Sequence, residues 1–494
     1  MKQVLPLLLA LFSVTTLSFS QTQGIAYTAV GKGVATTFVT DYHCLGINSS
    51  ALGWGTGYDK KRFTTGMSEF NFGIYSDSLN VDKLRSLFKA VRQDFIDKDQ
   101  EGADWETQRQ YAQEYLNSGV AIDFNYNWLG FSFQNEKFGG IAFNVRENYS
   151  WFSRFNENTT DLVFNGRYAN YFDSLQVVIG SDTSMIANNQ NYSADTLNSV
   201  IAGTASVPLG IRQFTDGSEV RFSWNRYYNL GYGRKLFGDS TFAIYAGIGG
   251  RFIQSMAMFD MKSEGGEFYI YSSLNPNYDI NYDPSTPPNF TETGSIPKSV
   301  GNGYGLDFSV SAKMFNMLTV SAAVNNIGSV TYNRNVYTVR DTLVVDMSSA
   351  GLENYNVTNS IESFLNEGGI FELVGQDKYT VRNAANYRLG AMLSFGKLAR
   401  LGIDVVGPFN VDNPGSLQNP VISIGGDIRP AKWVRISAGY LGGGIYKHNI
   451  PIGINFILGN GTYEFGVSSR DALTFFLDGS NSVSTAFGFA RVRF

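Results

Sequence analysis

Segment after segment of this chain alternates large apolar side chains with small or polar ones at a period of two. In 304–314, Tyr304, Leu306, Phe308, Val310, Ala312 and Met314 share one parity, and Asp307, Ser309, Ser311 and Lys313 share the other. In 317–326, Leu318, Val320, Ala322 and Val324 oppose Thr319, Ser321 and Asn325. Further on, Val434, Ile436, Ala438 and Tyr440 oppose Arg435, Ser437 and Gly439, and Ile450, Ile452, Ile454, Phe456 and Leu458 oppose Gly453 and Asn455. Side chains on a strand point alternately to opposite faces. Each segment is therefore a ribbon with one apolar face and one polar or tiny face.

The pattern predicts fourteen strands: 63–75, 120–134, 138–150, 219–235, 240–256, 302–314, 317–326, 386–396, 399–407, 419–429, 433–442, 449–458, 461–470 and 483–494. The connections after 134, 235, 314, 396, 429 and 458 are tight turns, whereas 76–119, 151–218, 257–301 and 327–385 are very long. A closed up-and-down antiparallel transmembrane β-barrel produces this alternation, with short turns at one rim, long loops at the other and an even strand count. The competing architecture, a secreted pair of β-sandwiches, also alternates along its strands. It predicts neither the alternation of loop lengths nor the 15% aromatic content that interfacial girdles would use. Phe494 follows Val492, Ala490, Gly488 and Ala486 at two-residue steps. An aromatic residue in that setting, with Val492 before it, is what a barrel presents to its assembly machinery.

The amino terminus has the order of a secretory signal: Met1-Lys2, an apolar run from Val4 to Leu17, then Ser18-Phe19-Ser20 with small residues at −3 and −1. The run is well short of the roughly 20 apolar residues of a membrane anchor. Residues 1–20 are thus read as a signal peptide cleaved near Ser20, and the bacterial outer membrane is the expected location. Outer-membrane lipid, the barrel-assembly machinery and other outer-membrane proteins are the expected partners.

Composition narrows the chemistry. With two His (His43, His448) and one Cys (Cys44), a zinc site of three or four soft ligands cannot be assembled. A hydrolase would need an exposed Ser beside one of those two His, so no enzyme and no cofactor is expected. A net charge of −5 gives no footprint for nucleic acid. Asp279-x-Asn281-x-Asp283 resembles the opening of a calcium loop, but Pro284 occupies the tight-turn Gly position and no ligating Glu follows in register. A solvated loop is the plainer reading.

Eight strands are filled by side chains, whereas 16–18 enclose an aqueous channel. Fourteen should leave a lumen that something fills. Inward residues such as Asp307, Lys313, Asp404, Asp427 and Arg435 imply that this lumen is polar. Residues 21–61 precede the first strand and are glycine-rich, with Gly31-Lys32-Gly33-Val34-Ala35 and later Asn48-Ser49-Ser50-Ala51-Leu52. This segment resembles the opening of long-chain fatty-acid transporter (FadL) barrels, which carry a Gly-Val-Ala-rich stretch followed by Asn-Pro-Ala. Ser49 and Ser50 stand where that family has Pro and Ala.

The resemblance implies a hatch over 21–61, with Gly33, Val34, Ala35, Asn48, Ala51 and Leu52 as its motif. It also implies a barrel over 62–494 and passage of small hydrophobic or amphipathic molecules. Without it, 21–61 reads as a disordered glycine-rich lead-in. The stretch from Tyr387 to Phe494 is similar to an uncharacterised family of Bacteroidota outer-membrane barrels. FadL-type relatives there include accessory subunits of type IX secretion. The alternative is therefore a non-transporting accessory or structural subunit of an outer-membrane complex, such as a type IX secretion or barrel-assembly machine.

Two local features complete the reading. In 120–134, Val120, Ile122, Phe124, Tyr126 and Trp128 share one parity, but Leu129, Phe131 and Phe133 share the other. That switch requires a bulge or break near Trp128-Leu129-Gly130. It reads either as an ordinary bulge or as the kinked strand with which fatty-acid transporters open a lateral exit. Helical spacing over 84–95 and 104–117, with a shorter helix over 358–367, predicts helices packed in the loops or offered to a partner.

Overall fold

In a computed structural model, the chain is described for residues 26–56, 60–79, 113–114, 117–189, 199–280, 282, 286–348, 372–411, 415–417, 419–444, 446–472 and 481–494. The expected signal peptide, the helices over 84–95 and 358–367 and most of 104–117 lie outside those residues. So do Asn281 and Asp283 of the calcium-like pattern.

Fourteen antiparallel strands form the wall: β1 (Phe63–Ser76), β2 (Val120–Asn135), β3 (Gly139–Arg154), β4 (Ser218–Gly238), β5 (Phe242–Glu264), β6 (Gly301–Met314), β7 (Leu318–Tyr332), β8 (Asn386–Phe395), β9 (Ala399–Pro408), β10 (Val421–Ala431), β11 (Val434–Gly443), β12 (Ile452–Leu458), β13 (Tyr463–Ser469) and β14 (Ser482–Arg493). Each pairs with its sequence neighbour, and β1 pairs with β14 from Thr64↔Arg493 to Tyr75↔Ser482, so the ring closes without an edge. The seam is reinforced at its end. Arg62 and Phe63 both donate backbone N–H groups to the Phe494 carbonyl, and the Phe63 and Phe494 rings stack at 5.6 Å.

The faces sort as the period of two requires. Tyr304, Leu306, Phe308 and Val310 of β6 are exposed, while Asp307 and Ser311 between them are buried in the interior. The outer surface of the wall is accordingly an apolar band suited to lipid. Aromatic residues collect at the short-turn rim: Phe138, Phe242, Phe315, Phe395, Trp433 and Phe494 are between 41% and 73% exposed. These turns are compact. In the β4–β5 turn, Thr241 and Phe242 N–H both donate to Asp239 Oδ1 (2.7 and 3.1 Å), which holds that carboxyl below its ordinary pKa.

Two expectations need correction. First, β5 runs to Glu264 and β7 to Tyr332, not to 256 and 326, so the long connections start later. Met256, Ala257, Met258, Phe259 and Met261 of β5 are all buried. The outer part of that strand is covered on both faces, and the alternation that would have extended it is lost. In β7, the Asn325-Asn326 bulge interrupts the pattern. Second, the run Ala486, Gly488, Ala490, Val492 and Phe494 does not share one face. Gly488 abuts the Tyr27 ring in the interior, and Arg491 pairs with interior carboxylates, because a bulge at Phe489-Ala490 shifts the register against β13.

Beyond the long-loop rim, the connections build a folded cap instead of loose loops. Ser174–Ile179, Asp182–Ala187, Val200–Thr204 and Asp346–Met347 form a separate four-stranded sheet. Helix α1 (Glu157–Asn165) is capped by Asn156, whose side chain accepts from Thr159 N at 2.7 Å. Phe155, Leu162, Phe172, Ile211 and Phe214 share one apolar core with Phe259 and Met261 of β5. Tyr171 OH ties the cap together, donating to the Val344 carbonyl and accepting from Leu209 N, each at 2.8 Å.

Because Phe214 is fully buried in that core, Phe214→Ala should destabilise the cap by about 3–5 kcal/mol. Limited proteolysis of the purified protein should then cut within 155–217 while the barrel still shifts mobility on boiling. Loss of the boiling shift, or unchanged protease resistance, would show that cap and wall are not separately stabilised.

Candidate functional site

Residues 26–54 have little regular structure of their own, comprising a short helix Tyr27–Val30 and 3-10 turns Asp41–Cys44 and Ser49–Trp54. Nearly all of them are buried. A buried chain with so few internal hydrogen bonds must find partners for its backbone elsewhere, and the inward side chains of the wall supply them. Asp404 Oδ2 of β9 accepts from Ala35 N (2.6 Å) and Thr36 N (2.8 Å). Ser309 Oγ of β6 accepts from Ser50 N at 2.8 Å. Asn144 of β3 donates to the Tyr42 carbonyl, Asn325 of β7 to Ile47 and Ser468 of β13 to Tyr27. The segment thus lies inside the ring and touches it on nearly every side.

Glycine makes the approach close enough. Strand glycines with inward parity meet the segment directly: Gly425 and Gly439 against the Lys32 carbonyl, Gly247 against Ser50 N, Gly453 against Gly31, Gly130 against the Tyr42 ring and Gly488 against Tyr27. A Cβ at Gly425, Gly439, Gly247, Gly130 or Gly488 would overlap the segment, and one at Gly453 would press on it. This contact surface accounts for much of the chain's enrichment to 53 glycines.

The motif residues named from sequence come together. Gly33 adopts φ +71°, Val34 is fully buried, and Ala35 donates its N–H to Asp404. Asn48 Nδ2 donates to the Thr36 carbonyl (2.8 Å) while its Oδ1 accepts from Ser50 Oγ (2.5 Å), so the second motif is tied to the first. Ala51 and Leu52 are fully buried. Ser50, at a position where the FadL pattern has another residue, is put to use: its Oγ lies 2.7 Å from Ser311 Oγ of β6.

The inward charges do more than wet a lumen. Asp427 pairs with Lys32 (2.9 Å) and with Arg400 (2.5 Å), and Lys313 sits 4.6 Å above the Trp54 ring. Arg435 approaches Glu464 and Asp427 at 3.8 and 4.0 Å. Asp307 is held by the Arg251 guanidinium at 2.8 Å. Sequence reasoning missed the partners Glu69, Glu464 and Arg491. Tyr42 OH donates to Glu69 Oε1 (2.6 Å), His43 Nε2 lies 3.0 Å from Glu69 Oε2, and Asn127 donates to the same oxygen at 3.1 Å. Arg491 bridges Asp41 of the segment and Glu464 of β13. The inward parity of Glu464 and Arg491 within alternating runs was the available signal. His448 is exposed and shares a 2.6 Å hydrogen bond with Tyr440 OH.

The β2 irregularity falls between Asn127↔Arg146 and Leu129↔Val145, so Trp128 is the extra residue. Both Trp128 and Leu129 face outward, and Gly130 faces Tyr42. Pairing resumes immediately on either side, and Met67↔Leu129 and Glu69↔Asn127 keep β1 bonded to β2 across the step. The wall is continuous there. Three separate cavities of about 60, 40 and 170 Å³ lie along the interior. The 40 Å³ cavity is bounded by Ala29, Val30, Ile47, Val406 and Leu441, with Arg388 and Asp404 at its side. It has room for about one water molecule.

Three solved structures are similar to this chain at low identity. The Pseudomonas putida toluene transporter TodX is 10% identical, with 97% of this chain and 99% of that one covered and a TM-score of 0.42. The Ralstonia pickettii toluene transporter TbuX is 9% identical over 97% and 99% (TM-score 0.40), and a Pseudomonas aeruginosa FadL homologue is 10% identical over 97% and 99% (TM-score 0.36). No curated protein matches the sequence. A family of unknown function, DUF5723, matches residues 58–465, most of the barrel wall and its loops. The chain belongs to that family.

Proposed function

We propose that this protein is an outer-membrane barrel in which residues 26–54 act as a hatch, closing a passage for small hydrophobic or amphipathic molecules. One observation carries the reading: the segment fills the bore and is held there by many separate contacts with single wall side chains. The hydrogen bond that Asn325 donates is worth about 1 kcal/mol and each one the Asp404 carboxylate accepts about 1.5–3 kcal/mol, so the segment is held at separate points that can be released one at a time. A plug needed only for stability would be served as well by apolar packing. The apolar outer band, the aromatic rim and the export signal read in the sequence support this location.

A second reading is favoured by the cap. Its folded core and its exposed Val178, Ile179, Met185 and Ile201 offer a surface to another outer-membrane protein, as an accessory subunit of a secretion or assembly machine would. Purification in mild detergent separates the two. A bound acyl compound on a lone barrel supports transport, and a stoichiometric protein partner without lipid supports the accessory role.

The hatch itself can be locked. Ser50→Cys with Ser311→Cys, in a Cys44→Ala background, places two thiols where hydroxyls now stand 2.7 Å apart. Cells expressing the oxidised variant should take up radiolabelled long-chain fatty acid no faster than empty-vector cells, with uptake restored by reductant. Equal uptake in both redox states would show that the segment does not move. In the opposite sense, Asp404→Ala removes the acceptor of two buried N–H groups, leaving each unpaired at about 1–3 kcal/mol. It should loosen the segment and sensitise cells to large antibiotics that the outer membrane excludes. Unchanged sensitivity would argue against a hatch held in this way.

A further inference from the structure

The 170 Å³ cavity opens at the short-turn mouth, and its charge is unlike that of the rest of the chain. The whole protein carries a formal −5, yet this cavity is lined by eight Lys or Arg side chains and only two carboxylates, Asp41 and Asp427. Counting Glu464 behind them, the excess is five positive charges.

The carboxylates are already committed. Asp427 is engaged by Lys32 and Arg400, Asp41 by Arg491, and Glu464 by both Arg491 and Arg493. Arg435 is left 3.8 and 4.0 Å from its nearest carboxylate oxygens, beyond hydrogen-bond length. Arg491, which also lines the cavity, keeps a buried Nε with no acceptor among the described residues. Lys61 there bonds to Thr462 Oγ1 at 3.2 Å. Lys397 stands in the β8–β9 turn and Arg429 near the end of β10, so both reach the opening from the rim.

Converging cations with surplus donors are stable when an anion completes them. Arginine forks present paired N–H groups that suit phosphoryl oxygens, and lysines add point charge from other directions. The volume equals that of roughly five or six waters, enough for a phosphoryl group and its remaining hydration and far too small for a nucleic acid strand. We propose that this mouth is a binding site for a phosphoryl group, donated by a soluble phosphate ester or by a lipid headgroup. The lining draws on both the segment (Thr28, Lys32, Asp41) and the wall (Arg400, Arg435, Arg493). A bound phosphoryl group therefore clamps one to the other.

The test uses the full chain in detergent at constant ionic strength, with chloride replaced by inorganic phosphate. Saturable binding of one equivalent, with a rise in unfolding temperature, is expected. Lys397→Gln with Arg429→Gln, a double change confined to the rim, should weaken it about tenfold. Arg435→Gln in the wall should do the same where it folds. Dihexanoyl phosphatidate binding at least as much tighter than glycerol phosphate assigns the group to a lipid headgroup, and equal affinity assigns it to a soluble ester; both results support the site. No saturable phosphate binding above chloride, or binding unchanged in the rim variant, overturns it. Neither outcome depends on whether the barrel transports anything.

Discussion

A sheet in contact with lipid cannot leave a free edge, because no water is there to satisfy its N–H and C=O groups. The pairing of β1 with β14 meets that requirement, and most other features follow from it. Closure fixes an interior and an exterior for every residue of the wall. It brings both ends of the barrel to the short-turn rim, where Phe494 and Phe63 stack, and sends every long connection to the opposite rim. It also sets the size of the bore. Fourteen strands enclose more room than side chains alone can fill, so the wall has an interior surface that a length of chain can occupy.

What occupies it obeys a second constraint. A segment with little internal hydrogen bonding is costly to bury unless its surroundings act as its hydrogen-bonding partners. The wall does this with two kinds of residue in alternation along the inward parity. Asp404, Asn325, Asn144 and Ser309 meet the segment's backbone groups, while Gly425, Gly439, Gly453 and Gly488 let its backbone come near enough to be met. Neither would suffice alone. Long polar residues throughout would hold the segment away, and glycine throughout would leave its carbonyls and amides unpaired.

The wall was legible in the sequence because a strand exposed to lipid on one side and to a polar bore on the other has a clean period of two. All fourteen strands fall where that period places them. Legibility ends where a strand stops having two different environments, as in β5 beyond Met256, which the cap covers on both faces. The cap's four-stranded sheet was hidden for the same reason, since its strands are short and its core is assembled from three separate connections. At the site, Gly33-Val34-Ala35 and Asn48 could be singled out, but not what they bind. The partners of the segment are scattered from Glu69 to Arg491, and only closure of the ring brings them to one place. The cationic mouth is the extreme case. Its cations sit on four strands, a turn, the segment and the residues just before β1, and averaging over an acidic chain erases them.

The bulges show how local irregularity serves that assembly. In strict alternation Gly66 and Glu69 would face opposite sides of β1, one inward and one toward lipid. Both face the bore. Gly66 lies under the Tyr42 hydroxyl and Glu69 accepts its hydrogen bond, because the strand changes parity at Ser68, whose φ is +54°. The adjoining strands change parity at the same level, β2 at Trp128 and β14 at Phe489-Ala490, so the ladder is kept on both sides. A single shifted strand would have had to leave hydrogen bonds unmade within the wall. Three shifted together lose none of the continuity, and the step lets Tyr42 and His43 reach a carboxylate that an unbroken β1 would have pointed at lipid. The sequence carried this signal in all three strands, in the change from Thr65 and Met67 to Phe70 and Phe72 as much as in Trp128-Leu129. It becomes interpretable only when the three stand side by side.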